Sequence, residues 1–249
     1  MVHCGSRGLG HQVCTDHLVA MDRAVGRYGI ELPDRQLACA PLGTPEADAY
    51  LGAMVAAANF AWANRQAIAG AIRDAFARVF GRSAERLGFR QVYDLSHNIA
   101  KVERHVLDGR SVDVCVHRKG ATRAFPAGHP DVPATYRAVG QPVLIPGDMG
   151  RASFVAAGAP GSMSTSFGSA CHGAGRSLSR HAAAHALRGV DVAAELGARG
   201  IEVRAERRDL LAEEASIAYK NAAEVVDTAV RAGLVREVAR LRPLAVIKG

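Results

Sequence analysis

The sequence predicts a mixed α/β (α+β) fold, and two contrasting stretches of the chain carry that prediction. Residues 45–80 are rich in alanine and place apolar side chains at three- and four-residue steps, the spacing of a helix that buries one face. Residues 126–160 hold six of the 10 prolines, and proline removes a backbone donor and interrupts helices. A long helix or helix pair in the first stretch, with short strands in the second, indicates the α+β class.

The N-terminal third is predicted to begin with a tight turn and to contain the long helix at residues 45–80. Three glycines within residues 3–11 favour a tight turn, since glycine adopts backbone angles that other residues avoid. Thr44 and Pro45 give the long helix an N-cap and a first-turn proline, and Gly81 is placed to end it.

The rest of the chain is expected to mix short strands with short helices. The expected strands are 91–95, 112–117 (after a turn at 108–109), 142–145, 152–156 and 241–249, and the expected helices are 175–187 and 224–232. No internal repeat or linker interrupts the sequence, so we expect one domain over residues 1–249.

Composition excludes several classes of protein. Hydrophobic residues make up 49% and charged residues 22%, which is the balance of a globular chain and not of a disordered one. No run of apolar residues is long enough to cross a membrane, and the N-terminus lacks a signal peptide, so a cytoplasmic protein is expected. Five cysteines without a CxxC pair argue against a disulfide framework or a zinc ribbon. The net charge of +7 is compatible with polyanionic partners without requiring them.

Two histidines lie in polar segments near the predicted turn and strand. His3 begins a glycine-rich segment with Arg7, in which backbone N–H groups and a guanidinium could bind an anion; an ordinary loop is the simpler interpretation. His97, followed by Asn98, lies at the end of a predicted strand, where a neutral imidazole could bind a metal ion. Taken alone, a satisfied, partly buried histidine is the simpler interpretation of His97.

A third histidine, His172, has surroundings that suit phosphoryl chemistry. It lies among small residues at an expected loop-to-helix junction, with Arg176 and Arg180 following it. Free helix N–H groups and two guanidinium groups would stabilise the charge that develops in phosphoryl transfer to a histidine. A helix-capping role for His172 is the alternative.

Six longer motifs extend these segments. They are HCGSRGLGHQV at 3–13, AAANFAWANRQ at 56–66, DLSHNIAKVE at 94–103, HRKGATRAFPAG at 117–128, GSMSTSFGSACHGAGRSLSR at 161–180 and RLRPLAVIKG at 240–249. In this order and spacing they resemble the RtcB family of RNA ligases over essentially the whole chain.

The resemblance implies an enzyme that depends on GTP and on two Mn²⁺ ions per complete site. Such an enzyme joins RNA ends carrying a 3′-phosphate or 2′,3′-cyclic phosphate to 5′-hydroxyl ends, in tRNA splicing or RNA repair. His172 would accept GMP as the catalytic nucleophile, and His3 and His97 would bind metal. The positions that match guanylate contacts are Asn98, Ser153, His172, Gly173, Ala174, Gly175, Arg176, Tyr219 and Lys248. Those that match phosphate or RNA-end contacts are Arg7, Lys119 and Arg180.

Two departures from the family pattern accompany the resemblance. The family's N-terminal half carries a DxGCG-like motif and a GNH motif, and neither precedes His3 here, so we expect a C-terminal portion truncated at its N-terminus. A separate N-terminal half or an archease-like activator would then be a partner; the alternative is a catalytically silent remnant that only binds nucleotide or RNA. Asp148 replaces the usual serine of the family, and its carboxylate would repel a phosphate unless a metal ion or an arginine intervenes.

Overall fold

The computed structural model describes residues 1–249, apart from the side chain of Arg208, and they form two compact units. The N-terminal unit is Met1–Asp94 and the C-terminal unit is Leu95–Gly249. Helices and several small sheets make the protein mixed α/β, as the sequence predicts. The single domain expected over the whole chain stays a prediction.

The N-terminal unit consists mainly of two helices, α1 (Gly8–Arg27) and α2 (Pro45–Phe80). The predicted boundaries of the long helix are confirmed, and it is one continuous helix. Thr44 accepts a hydrogen bond from the backbone of Ala47 at 3.4 Å, and Gly81 ends the helix at a φ of 60°. Helix α1 was not predicted, because the glycines that suggested a turn lie in its first turn.

The strand expected at residues 91–95 is wrong. This segment pairs with no other strand and follows α2 through side-chain contacts instead. Phe89 packs edge-on against Phe76 with ring centroids 5.2 Å apart, and Asp94 forms an ion pair with Arg65 at 2.7 Å. Alternating apolar residues are typical of a strand, but Val92 of this segment is exposed and no described strand lies beside it.

The C-terminal unit contains all the strands, which form four small sheets. The strands are β1 (Asn98–Leu107), β2 (Arg110–Lys119), β3 (Ala121–Arg123), β4 (Pro142–Ile145), β5 (Ser153–Gly158), β6 (Ser169–Cys171), β7 (Glu202–Ala205), β8 (Val235–Leu241) and β9 (Ala245–Lys248). Strands β1 and β2 form an antiparallel hairpin around the expected turn, β3 pairs with β6, and β7 runs parallel to β9. Strands β4, β5 and β8 form a three-stranded antiparallel sheet.

Four α-helices accompany these strands: α3 (Gly161–Ser166), α4 (Arg180–Ala186), α5 (Val192–Ala198) and α6 (Ala222–Arg231). The helix predicted at 224–232 is confirmed within two residues, whereas the helix predicted at 175–187 begins only at residue 180. Ser179 caps α4 by accepting from Ala182 at 3.1 Å, and the glycine-rich residues before it form a loop. None of the helices described is both long and apolar enough to cross a membrane.

Two apolar clusters support the segments that carry the candidate residues. The first packs strands β4, β5 and β6 against α6, with Val143, Ile145 and Val226 almost fully buried. The second packs α5 against Leu211 and the strand pair β7–β9. Residues 171–176 and 214–219 are therefore anchored to these packed clusters.

Candidate functional site

Two of the predicted histidines stack on each other. His97 immediately precedes β1 and His172 immediately follows β6, and their imidazole rings are parallel within 7° with centroids 3.7 Å apart. A ring nitrogen of His97 lies within 4.8 Å of one of His172, so the two could contact one metal ion. The predicted loop-to-helix junction at His172 is wrong, since β6 leads directly into a loop that reaches α4 only at residue 180.

The backbone at Gly120 lies beside this histidine pair. Its N–H donates to the carbonyl of His97 at 3.0 Å and lies 3.2 Å from Oδ1 of Asn98. A Cβ built on Gly120 would lie 3.7 Å from Nε2 of His172, and its φ of +68° favours glycine. Lys119 pairs with Asn98 at the open end of the hairpin. Asn98 and Lys119 therefore flank the backbone that lies beside His172.

A buried ion pair fixes this end of the hairpin. Arg118 donates to both carboxylate oxygens of Glu103, at 2.8 and 2.7 Å, and these side chains are 1% and 2% exposed. Arg118 also donates to Oγ of Ser169 at 2.9 Å, which joins β2 to the strand that leads to His172. Burial alone would raise the pKa of Glu103, but Arg118 outweighs it and the pKa lies below its ordinary value.

Cys171 is a weaker candidate nucleophile than its neighbour His172. Burial raises the pKa of the Cys171 thiol, so the thiol stays protonated at neutral pH. The Nδ1 atom of His172 is buried, and the side chain as a whole is half-buried.

A second group of predicted residues gathers around Glu214. Arg176 donates to its carboxylate at 3.3 Å, Arg180 does so at 3.3 Å, and Nζ of Lys248 lies 3.8 Å away. The Tyr219 hydroxyl donates to the same carboxylate and accepts from Arg176 at 2.9 Å. The guanidinium of Arg176 also lies over the Tyr219 ring, 4.7 Å from its centroid.

The ionisation of this group follows from its contacts. Burial and the hydrogen bond to Glu214 raise the pKa of Tyr219 to about 12. Burial would raise the pKa of Glu214, but the Tyr219 hydroxyl, Lys248, Arg180 and Arg176 together hold it below its ordinary value. At neutral pH the carboxylate is therefore charged and the hydroxyl is a donor.

Two further residues that the resemblance assigns to guanylate contacts, Ser153 and Gly173, lie at the loop between β4 and β5. Ser153 accepts a hydrogen bond from the backbone of Gly147 at 3.0 Å. A Cβ on Gly147 would lie 2.1 Å from the carbonyl oxygen of Ala152, so this turn requires glycine. A Cβ on Gly173 would lie 3.8 Å from the carbonyl oxygen of Pro146, which places the backbone after His172 against the same loop.

Asp148 is neutralised by an arginine that the sequence did not single out. Its side chain is 1% exposed and pairs with Arg151, and it also accepts from the Ser216 hydroxyl. Arg151 in turn donates to the carbonyl oxygens of Ser216 at 2.8 Å and Tyr219 at 2.9 Å. Asp148 and Arg151 thus join the loop between β4 and β5 to residues 216–219. The positive charge of Arg151 offsets the negative charge of Asp148, which is the condition stated above for a carboxylate near a phosphate.

The structure of the C-terminal unit divides the predicted residues into two sets. His97, Asn98, Lys119 and His172 lie together, and Arg176, Arg180, Tyr219 and Lys248 lie together around Glu214. Four further predicted residues lie in the loops of this unit or pack on its core: Ser153, Gly173, Ala174 and Gly175. His3 and Arg7 belong to the N-terminal unit.

Sequence reasoning missed three charged residues of this unit: Glu103, Glu214 and Arg151, the partner of Asp148. They look like ordinary solvated charges in the sequence, because little in their local pattern marks them. For Glu103, the local signal is the alternation of β1, which places it on the same buried face as His105, two residues on.

Comparison with known proteins identifies the family. Residues 1–249 match the family model described as tRNA-splicing ligase RtcB. The tRNA-splicing ligase RtcB of Archaeoglobus fulgidus and that of Thermococcus kodakarensis are each 57% identical over 249 residues, which are 100% of this chain and 52% of the relative. The RNA-splicing ligase RtcB of Mycobacterium tuberculosis is 53% identical, and 56% of its length is covered. The chain spans about half the length of these relatives, and it belongs to the RtcB family.

Proposed function

We propose that this chain supplies the nucleotide-accepting histidine of a GTP- and Mn²⁺-dependent RNA ligase. The observation that carries the proposal is His172, whose half-buried ring stacks on His97 and lies beside the backbone of Gly120. The relatives' names support ligation of RNA, and tRNA splicing in particular. Because the chain spans about half of those relatives, the complete activity is proposed for this chain together with the remaining half, acting in the cytoplasm.

In the first step, Nε2 of His172 attacks the α-phosphorus of GTP. A nitrogen–phosphorus bond forms, the bond to the β-phosphate oxygen breaks, and pyrophosphate leaves. The stacked ring of His97 limits the orientations of the His172 ring, so that the attacking nitrogen is already placed. A 3′-phosphate of RNA then takes the guanylyl group from the histidine, and the 5′-hydroxyl of the second end displaces GMP to give the phosphodiester.

The metal ligands proposed in this chain are His97 and His3. Imidazole nitrogens bind transition-metal ions, but two of them are a partial set, so further donors must come from elsewhere in the complete enzyme. Bound Mn²⁺ would polarise the triphosphate and stabilise the pyrophosphate leaving group.

The cationic residues of the second set are proposed to bind the nucleotide and the RNA end. Tyr219, Lys248 and Arg176 would contact the guanylate, and Ser153 and the backbone of 173–175 would line the same pocket. Lys119 and Arg180 are exposed, as residues that meet an RNA phosphate must be, and Arg7 is proposed for the same role. An archease-like activator remains a further proposed partner.

The test is transfer of radiolabel from α-labelled GTP to the protein in the presence of Mn²⁺. The chain is assayed alone and with the part of the Archaeoglobus fulgidus relative that it does not cover. We expect label that is stable in alkali and labile in acid, as a phosphoramidate is, and its loss in His172→Ala.

The matched control is His185→Ala, which removes an exposed histidine of α4 and should retain the label. Absence of label from the wild-type chain under both conditions would refute the proposed function. Label retained by His172→Ala would place the nucleophile elsewhere.

A further inference from the structure

Glu214 contacts four side chains that come from separate parts of the chain. It accepts from Arg176 in the loop after β6, from Arg180 at the start of α4 and from the Tyr219 hydroxyl, and it lies 3.8 Å from Lys248 in β9. One carboxylate therefore joins side chains from four segments of the C-terminal unit.

The contacts of Glu214 also set the orientation of an aromatic ring. Arg176 is fixed at both ends, because its backbone bridges that of Tyr219 and its guanidinium donates to the carbonyl oxygens of Leu178 and Glu213. That guanidinium lies over the Tyr219 ring. The Tyr219 ring is therefore held at its hydroxyl by Glu214 and on its face by Arg176.

The charge of Glu214 is maintained in spite of partial burial. Its side chain is 25% exposed, and Lys248, Arg180 and Arg176 surround it. Its lowered pKa keeps it anionic at neutral pH, and the raised pKa of Tyr219 keeps the hydroxyl protonated. The hydrogen bond between them therefore persists over the pH range in which an enzyme works.

We propose that Glu214 is a positioning residue for nucleotide binding. It holds the Tyr219 hydroxyl and the Lys248 ammonium group where they meet the guanosine part of GTP, without itself contacting the triphosphate. This inference rests on the proposed function, since it deepens the assignment of the same pocket.

Electrostatics alone predicts the opposite result of removing this carboxylate. A negative charge near a polyanionic ligand repels it, so its loss should tighten the binding of any triphosphate. Weaker binding after the same substitution would instead require that Glu214 places other groups. The direction of the change therefore separates positioning from simple charge repulsion.

The test compares the dissociation constants of GTP and of inorganic tripolyphosphate, each with Mn²⁺, by titration calorimetry. In Glu214→Ala we expect GTP to bind about tenfold more weakly, the loss that one charge-assisted hydrogen bond typically causes. Tripolyphosphate should bind with unchanged or higher affinity. The GTP affinity of Glu214→Gln should lie between those of wild type and Glu214→Ala, because the amide oxygen can still accept a hydrogen bond from Tyr219.

The matched control is Glu213→Gln, the neighbouring carboxylate, whose side chain is 4.0 Å from Arg180 and which contacts Arg176 through its backbone. GTP affinity should be unchanged in it. Unchanged or tighter GTP binding by Glu214→Ala, or equal loss of GTP and tripolyphosphate, would overturn the inference alone. The titrations are made with the chain alone and with the part of the Archaeoglobus fulgidus relative that it does not cover; if the wild type binds no GTP under either condition, the inference and the proposed function both fail.

Discussion

Two ion-pair networks of the C-terminal unit use the same chemistry in different surroundings. In the hairpin network, Arg118 and Glu103 are 1% and 2% exposed, and both of their hydrogen bonds are shorter than 3 Å. In the Glu214 network, Arg176 and Arg180 are 26% and 70% exposed, and their hydrogen bonds to Glu214 measure 3.3 Å.

The difference indicates separate roles for the two networks. Arg118 uses its remaining donors on Ser169 and on the carbonyl of Phe167, so any movement would leave a buried charge without hydrogen bonds. In the Glu214 network, Tyr219 is held closely, but Arg180 is largely exposed and its contact to Glu214 is longer, which lets that guanidinium exchange partners with a ligand at small cost. The hairpin network holds the histidine pair in place, and the Glu214 network is suited to receive a ligand.

The largest effect is expected on breaking the hairpin network. Arg118→Ala should lower the free energy of unfolding by about 3–5 kcal/mol, because it strands the Glu103 carboxylate in the interior. The free energy of unfolding of Arg118→Lys should lie between those of wild type and Arg118→Ala, since lysine retains the charge but not the forked geometry of the guanidinium. Urea denaturation followed by circular dichroism measures both.

The control for this prediction is Arg104→Ala on the same hairpin. Arg104 pairs with Asp113, and both are largely exposed, at 72% and 54%. No measurable loss of stability is expected there. An equal cost for the two arginines would contradict the contrast between buried and exposed pairs.

Asp148 and Arg151 form an intermediate case, with a buried carboxylate and an arginine that is 31% exposed. Asp148→Asn should lower the free energy of unfolding by about 1–3 kcal/mol, because the hydrogen bonds to Arg151 and Ser216 lose their charged acceptor. Thermal unfolding measures the change. Asp227→Asn, which removes an exposed i,i+4 pair with Arg231, is the control and should have little effect; a larger loss in the control would refute the ranking by burial.

The elements that sequence predicted well are those specified by local chemistry. Helix α2 has a capping threonine, a first-turn proline and a terminal glycine within its own residues, and the hairpin turn at 108–109 has its glycine. Helix α1 was missed because glycines at its start suggested a turn, and the segment at 91–95 was mispredicted because its side chains contact α2 and not a neighbouring strand. Tertiary contacts of this kind leave no periodic signal.

The candidate site shows the same division. The motifs located His97, His172 and the residues around Glu214, because those residues lie in long recognisable segments. Glu214 and Arg151 themselves escaped, since most of their partners are distant in sequence: Arg180 and Arg176 lie 34 and 38 residues from Glu214, and Ser216 lies 65 residues from Arg151. Tyr219 and Asp148 are nearer, five and three residues away, but their local pattern does not mark an ion pair. A charge whose partners are distant cannot be distinguished from a solvated one before the fold is known.

The smallest expected effect is the pH dependence that Glu214 contributes to stability. Since its pKa is lowered in the folded protein from 4.5, the contribution is fully present above that pH and is lost as the pH falls through the folded-state pKa. Glu214→Gln should cost up to about 1 kcal/mol at neutral pH, and the difference from wild type should shrink below pH 4.5. Urea denaturation at a series of pH values measures it. A difference that stays constant into the acid range would mean that hydrogen-bond geometry, and not the carboxylate charge, stabilises this network.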